Sequence, residues 1–281
     1  MENTIVKTLI YDKQVRLFFV DNTKLINDIL GLNKETNKIL KLTLGKTISV
    51  MSLMSATLKG DQRISLQMTM SDPQYKVFAD GDAKGNIRGY LNNALLGVAD
   101  EISLERLIGH KGTIRVIKGA GFNQFTGITD MPYRNIVDDI SHYFIQSEQT
   151  QTYIGTNLEF AHDNRILFSH ALYAELLPGA PAELMNQVED TVNTNWDFFK
   201  DSKGNIEKNL SQLFKDVKVI GYRPVQFFCG CSKEMFYGML HSLSTNELEQ
   251  VIHNKESIDT ACQICGRTYH FHYNEIQGLL K

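Results

Sequence analysis

The chain has no cysteine before position 229, no apolar run approaching the roughly 20 residues that span a bilayer, and no basic excess. Its 29 Lys and Arg stand against 32 Asp and Glu, for a formal net charge of -3. Such a balance attracts neither nucleic acid nor anionic lipid, so no nucleic-acid partner and no membrane partner are expected. Residues Met1-Glu2-Asn3-Thr4 show no basic n-region, apolar h-region or small-residue cleavage site, which makes a cytoplasmic location the expectation.

Nucleotide, calcium and hydrolase motifs are lacking too. Leu44-Gly45-Lys46-Thr47 resembles the end of a phosphate-binding loop, but Leu40 stands where the leading glycine belongs. Asp80-Gly81-Asp82-Ala83-Lys84-Gly85 opens like a calcium loop, yet Lys84 occupies a ligand position and Leu91 replaces the bidentate glutamate. Gly119-Ala120-Gly121 lacks the rest of a dinucleotide fingerprint, and neither a His-Glu-x-x-His nor a nucleophile elbow occurs. No enzymatic activity is expected.

What the chain does have is four cysteines, all in its last 53 residues: Cys229-Gly230-Cys231 and, 30 residues on, Cys262-Gln263-Ile264-Cys265-Gly266. In a reducing compartment, paired thiols serve as metal ligands or redox sensors rather than standing disulfides. Zinc takes four ligands in a tetrahedron, and two short loops giving two thiolates each supply them, so Cys229, Cys231, Cys262 and Cys265 are read as one zinc site. Four thiolates close the coordination shell, which argues against an open catalytic metal. Two roles remain open. The metal can be structural, standing in for a core too small to hold itself, or the thiolates can be an oxidisable fuse whose loss removes folding energy of roughly 10 to 16 kcal/mol. A structural site within a zinc-ribbon nucleic-acid-binding protein or a zinc-containing enzyme is the alternative reading. The cysteine segment's four basic and six acidic residues disfavour nucleic acid.

Ahead of the cysteines the pattern is mixed. Alternation predicts a hairpin over Thr4–Tyr11 and Val15–Val20 and further strands near Arg63–Met70, Lys76–Ala79, Ile87–Leu91, Gly112–Lys118, Phe125–Ile128, Tyr153–Leu158 and Arg165–Leu172. Helical spacing predicts Thr23–Leu30, a buried central helix over Lys34–Leu58, and Asp138–Glu148. After Pro181 a single helix is expected over Ala182–Lys200, with the apolar stripe Leu184, Val188, Val192, Trp196 and Phe199. Asp201–Asn205 is read as a break before a shorter helix carrying Ile206, Leu210, Leu213, Phe214 and Val217. Strand Val225–Phe228, a helix start at Ser232 and Glu234, a capping box at Ser244–Glu247 and strand Thr268–Tyr273 complete the reading. The expected fold is α+β. A mixed α/β N-terminal domain (1–180) leads through an amphipathic helical linker (181–226) into a small four-cysteine zinc-binding module (227–281).

The cysteine spacing, with Gly85-Asn86-Ile87-Arg88-Gly89-Tyr90, Tyr143-Phe144-Ile145-Gln146-Ser147-Glu148-Gln149 and Leu177-Pro178-Gly179-Ala180, resembles the redox-regulated chaperones of the heat-shock protein 33 family. The chain departs from that pattern at Met70–Pro73 and His170–Glu175. The resemblance implies one zinc ion held by the four cysteines in an inactive reduced form. It also implies disulfides Cys229–Cys231 and Cys262–Cys265 on oxidation, zinc release, and a loosened linker. The Leu184-to-Phe199 stripe would then be a candidate surface for unfolded client proteins, held without ATP, with a homodimer accompanying activation.

Overall fold

The computed structural model describes residues 3–32, 36–99, 101–200, 205–262 and 264–278. The chain folds as two compact units, Met1–Phe228 and Cys229–Lys281.

The first unit is built on two sheets around one helix. One sheet has the order β10-β1-β2-β9-β8, with β1 Thr4–Ile10, β2 Val15–Asp21, β8 Thr152–Phe160, β9 Ile166–Leu176 and β10 Lys218–Pro224. The other has the order β11-β5-β4-β3-β6-β7, with β3 Arg63–Thr69, β4 Lys76–Asp82, β5 Asn86–Leu91, β6 Thr113–Ala120, β7 Asn123–Asp130 and β11 Gln226–Phe227. Helix α2, Lys38–Ser55, packs on strands of both sheets, with α1 (Thr23–Leu30) and α4 (Ile136–Ser147) beside it. A short helix α3 (Leu104–Ile108) sits between β5 and β6 in sequence.

The expected central helix starts at Lys38 rather than Lys34, because the Asn37 side chain accepts from the Leu40 N–H and caps the first turn. Lys34 itself lies outside the described residues. Burial on nearly every side is possible because the helix satisfies its own hydroxyls: Thr47, Ser52 and Ser55 donate to the Thr43, Ile48 and Ser52 carbonyls.

The first sheet is covered on both faces. Ile5, Phe18, Val20, Ala171 and Tyr173 face the α2 side. Val6, Val15, Leu17, Phe19, Leu172 and Ala174 face a second core. That is why β2 reads as an almost unbroken apolar run instead of alternating. The second core is closed by helices α5 (Glu183–Thr194), α6 (Trp196–Lys200) and α7 (Ile206–Leu213).

Two expectations need correcting here. Residues 181–226 are not a separate linker in this state: α5 to α7 pack on the first sheet and β10 pairs with β1, all inside the first unit. The expected single helix over Ala182–Lys200 breaks at Asn195, whose side chain donates to the Thr191 carbonyl at 2.7 Å and ends α5. The break turns Phe199 onto Phe19, with ring centroids 4.7 Å apart. Of the stripe, Val188, Val192 and Phe199 are fully buried, and Leu184 and Trp196 are half-buried against the same core. Asp201–Gly204, the expected break before α7, lies outside the described residues. Beyond α7 the chain crosses from one sheet to the other, since β10 is an edge strand of the first and β11 pairs in parallel with β5 of the second.

The second unit carries helices α8 (Lys233–Leu240), α9 (Thr245–Asn254) and α10 (Tyr273–Gln277) and a hairpin of β12 (Ser257–Ala261) and β13 (Thr268–His272). Among the described residues its buried apolar core is small: Leu240, Leu248, Phe271 and Ile276. No helix among the described residues is long and apolar enough to cross a membrane.

Candidate metal centre

Two tight turns aim the four sulfurs at one point. Cys229 and Cys231 flank Gly230, which sits at φ +72, a left-handed conformation that a side chain would strain. Cys262 and Cys265 occupy the tip of the β12–β13 hairpin. There the Cys262 N–H donates to the Arg267 carbonyl at 2.8 Å and the Gly266 N–H donates to the Cys262 carbonyl at 2.9 Å. Gly266, at φ +75, lets the chain re-enter β13. Gln263 lies outside the described residues.

Cys229 Sγ lies 3.6 Å from Cys262 Sγ, Cys231 Sγ lies 3.6 Å from Cys265 Sγ, and all four sulfurs fall within 4.8 Å of one another. A tetrahedral zinc with Zn–S bonds of about 2.3 Å places its sulfurs about 3.8 Å apart. The separations and the all-thiolate donor set therefore suit one soft divalent cation, and all four are free thiols.

The electrostatics of the cluster are uneven. Burial pushes the Cys229 thiol up to about 11 and also raises Cys265. Burial opposes ionisation of Cys231 as well, but hydrogen bonds from Tyr269 and the neighbouring thiols hold its pKa below the ordinary thiol value. The Tyr269 hydroxyl donates to both the Cys231 carbonyl and its Sγ at 3.0 Å. Cys231 is thus the favoured thiolate over Cys229 and Cys265, from which a cation would have to displace protons.

Supporting contacts escaped the sequence reading. Lys233, two residues after Cys231, bridges to Glu275 at 2.7 Å, and Glu275 in turn accepts the His272 N–H that opens α10. Tyr269 stacks on Phe236 of α8, ring centroids 5.0 Å apart. Only the alternation of β13 hinted at Tyr269, and nothing in the spacing links Lys233 to Glu275, 42 positions away. The four histidines of this unit stand outside the cluster; His270 pairs with Asp259 across the hairpin at 2.7 Å.

The family model described as Hsp33 protein matches residues 3–272. The chain belongs to the Hsp33 family. Relatives of this Hsp33 chain include the 33 kDa chaperonin of Bacillus pumilus, 29% identical over 98% of this chain and 97% of the relative. That of Bacillus subtilis is 27% identical over 98% and 97%. The crystal structure of the Thermotoga maritima heat shock protein 33 homolog superposes with a TM-score of 0.84 over 100% of this chain and 98% of that one. At 19% identity this likeness concerns the fold.

Proposed function

We propose that this protein is an ATP-independent holdase, inactive when reduced and zinc-bound and activated by oxidation of Cys229, Cys231, Cys262 and Cys265. The observation that carries the reading is the meeting of four sulfurs within 4.8 Å in a unit whose core, among the described residues, buries four apolar side chains. A core of that size leaves a 53-residue segment marginal. Zinc held by the four thiolates would supply the missing stability, roughly 10 to 16 kcal/mol in zinc-finger peptides.

Oxidation acts on the chain's own sulfurs. A thiolate attacks hydrogen peroxide, giving a sulfenic acid and hydroxide; the neighbouring thiolate attacks that sulfur, forming the S–S bond and releasing a second hydroxide. Each disulfide consumes one peroxide, which takes up the two electrons that the sulfurs lose, and Cys229–Cys231 and Cys262–Cys265 are the proposed products. Sulfurs so joined no longer serve as thiolate ligands, and the cysteine unit loosens.

The segment 181–226 loosens with it, and helices α5 to α7 lift from the first sheet. Leu184, Val188, Val192, Trp196 and Phe199 then become available, together with Leu17 and Phe19, which they cover in the reduced state. That apolar surface binds unfolded clients and a second copy of the chain. The proposed setting is the cytoplasm, where thiols stay reduced until oxidant stress.

The test is suppression of aggregation of a chemically unfolded protein by zinc-loaded reduced samples and by peroxide-oxidised ones, with released zinc read by a colorimetric chelator. Suppression confined to the oxidised sample and rising with zinc release supports the reading. Equal behaviour of both samples means that the metal is structural and the function lies elsewhere.

A further inference from the structure

The first unit holds a second concentration of charge. A cavity of about 420 Å³ opens where the ends of α2 and α4 meet strands of both sheets, and five cations line it: Lys7, Arg16, Lys59, Lys118 and Arg223. Three carboxylates answer them: Asp82 acts on Arg223 without forming an ion pair, and two others bind directly. Glu175 is bound by Arg16 at 2.8 Å and by the Tyr173 hydroxyl, and Glu148 is bound by Lys118 at 3.0 Å.

Lys7, Lys59 and Arg223 form no ion pair among the described residues. Lys7 donates to the Ala56 carbonyl at 2.5 Å and lies over the Phe18 ring at 5.1 Å. Arg223 donates to the Ser55 carbonyl at 2.6 Å and to that of Leu58 at 3.2 Å. These carbonyls close α2, and a helix C-terminus carries only about half a negative charge. With α4 ending at the same cavity, the two termini offset about one of the three surplus cations, and Asp82 offsets Arg223 further, which leaves an excess of about one. The crowding is felt at Lys7: burial, then Arg223 and Arg16, lower its ammonium pKa to about 8.

Like charges around open space, half-buried except for the exposed Lys59, are costly as mere structure, and their chemistry matches a compact anion. Guanidinium and ammonium groups converging on one volume are how proteins hold phosphoryl oxygens. We propose that this cavity is a binding site for a small phosphate-bearing anion, held chiefly by Lys7 and Arg223 with Lys59 completing the cation set. The site uses no cysteine and is titrated in the reduced protein, so its test does not depend on the holdase reading.

Isothermal titration of the full-length, zinc-loaded reduced protein with inorganic pyrophosphate is the experiment, with citrate as the carboxylate comparison. One saturable site is expected, with citrate markedly weaker. Lys7→Met should weaken pyrophosphate by about tenfold or more, the usual worth of a charge-assisted bond. Lys59→Met provides a variant that does not threaten the fold, because Lys59 is bonded through its backbone, its N–H donating to the Gln62 side chain and its carbonyl accepting from the Gln62 N–H, and it should weaken binding by a smaller factor. Lys24→Met, at an exposed helix pair, should change nothing. On the wild type, pyrophosphate should slow acylation of Lys7 at pH 8 while leaving Lys24 as reactive as before. Absence of saturable binding, equal affinity in the Lys7 and Lys59 variants and wild type, or citrate binding as tightly as pyrophosphate would each overturn the assignment.

Discussion

The sulfur of Cys231 lies 3.6 Å from that of Cys265, 34 positions away, and the Tyr269 hydroxyl reaches the same sulfur at 3.0 Å. This relationship ties the two cysteine loops together and gives Cys231 a thiolate-stabilising donor from β13. Both the metal-binding and the oxidation chemistry proposed for the second unit begin there.

Removing the metal should melt the second unit and spare the first. Among the described residues the core of Cys229–Lys281 buries four apolar side chains, against the extensive cores of the first unit. Under a strong chelator and reductant, near-ultraviolet circular dichroism should lose the signals of Tyr237 and Phe271, whose rings meet edge to face at 5.2 Å. Full retention of that signal after complete zinc removal would show that the unit stands unaided.

Tyr269→Phe deletes the hydroxyl that donates to Cys231 while keeping the ring on Phe236. Partners that orient metal ligands are typically worth 10- to 100-fold in affinity, so zinc binding should weaken by about tenfold or more in competition with a chromophoric chelator. An unchanged affinity would reduce Tyr269 to packing.

Phe199→Ala removes a fully buried ring stacked on Phe19. Such deletions cost about 3 to 5 kcal/mol, and here the loss falls on the cover over the second core. The reduced, zinc-loaded variant should suppress aggregation without oxidant. If hydrogen exchange shows α6 released and the variant is still inactive, the covered face does not hold clients.

Lys7 gives a pH signature. Burial lowers its pKa to about 8 from the ordinary 10.5, so between those values the unfolded chain binds the proton that the folded chain has lost. Stability contributed by this site therefore rises with pH across that window, and below it the penalty of burying the charge is fully present. In urea unfolding from pH 7 to 10, the wild type should gain stability relative to Lys7→Met. Parallel curves would contradict the shift.

The sequence reading worked best where pattern alone decides structure. The four cysteines, their loops and the Ser244–Glu247 capping box were legible because turn geometry and capping are local. The α2 periodicity survived because a long helix between two sheets must be apolar nearly all round. Strand β10 was not visible: Gly221 interrupts it and Pro224 ends it, features tolerated because it is an edge strand whose identity comes from pairing with β1. Of the closing hairpin only the second strand could be delimited in the sequence, since pairing with β13 alone defines β12, Ser257–Ala261. The cover formed by α5 to α7 was readable as an amphipathic stripe, but its partner face was not. The cationic cavity gathers Lys7, Lys118 and Arg223 from distant strands, and no spacing announces it.

The central claim is that cysteine oxidation loosens the second unit and uncovers the face of the first sheet. Hydrogen exchange read by mass spectrometry, on zinc-loaded reduced protein and on the same protein after peroxide, tests it most directly. The account predicts lost protection in α9, β12 and β13 and in α5 to α7, with α2 unchanged. Retained protection of α5 to α7 in protein that has formed its disulfides and lost its zinc would contradict it.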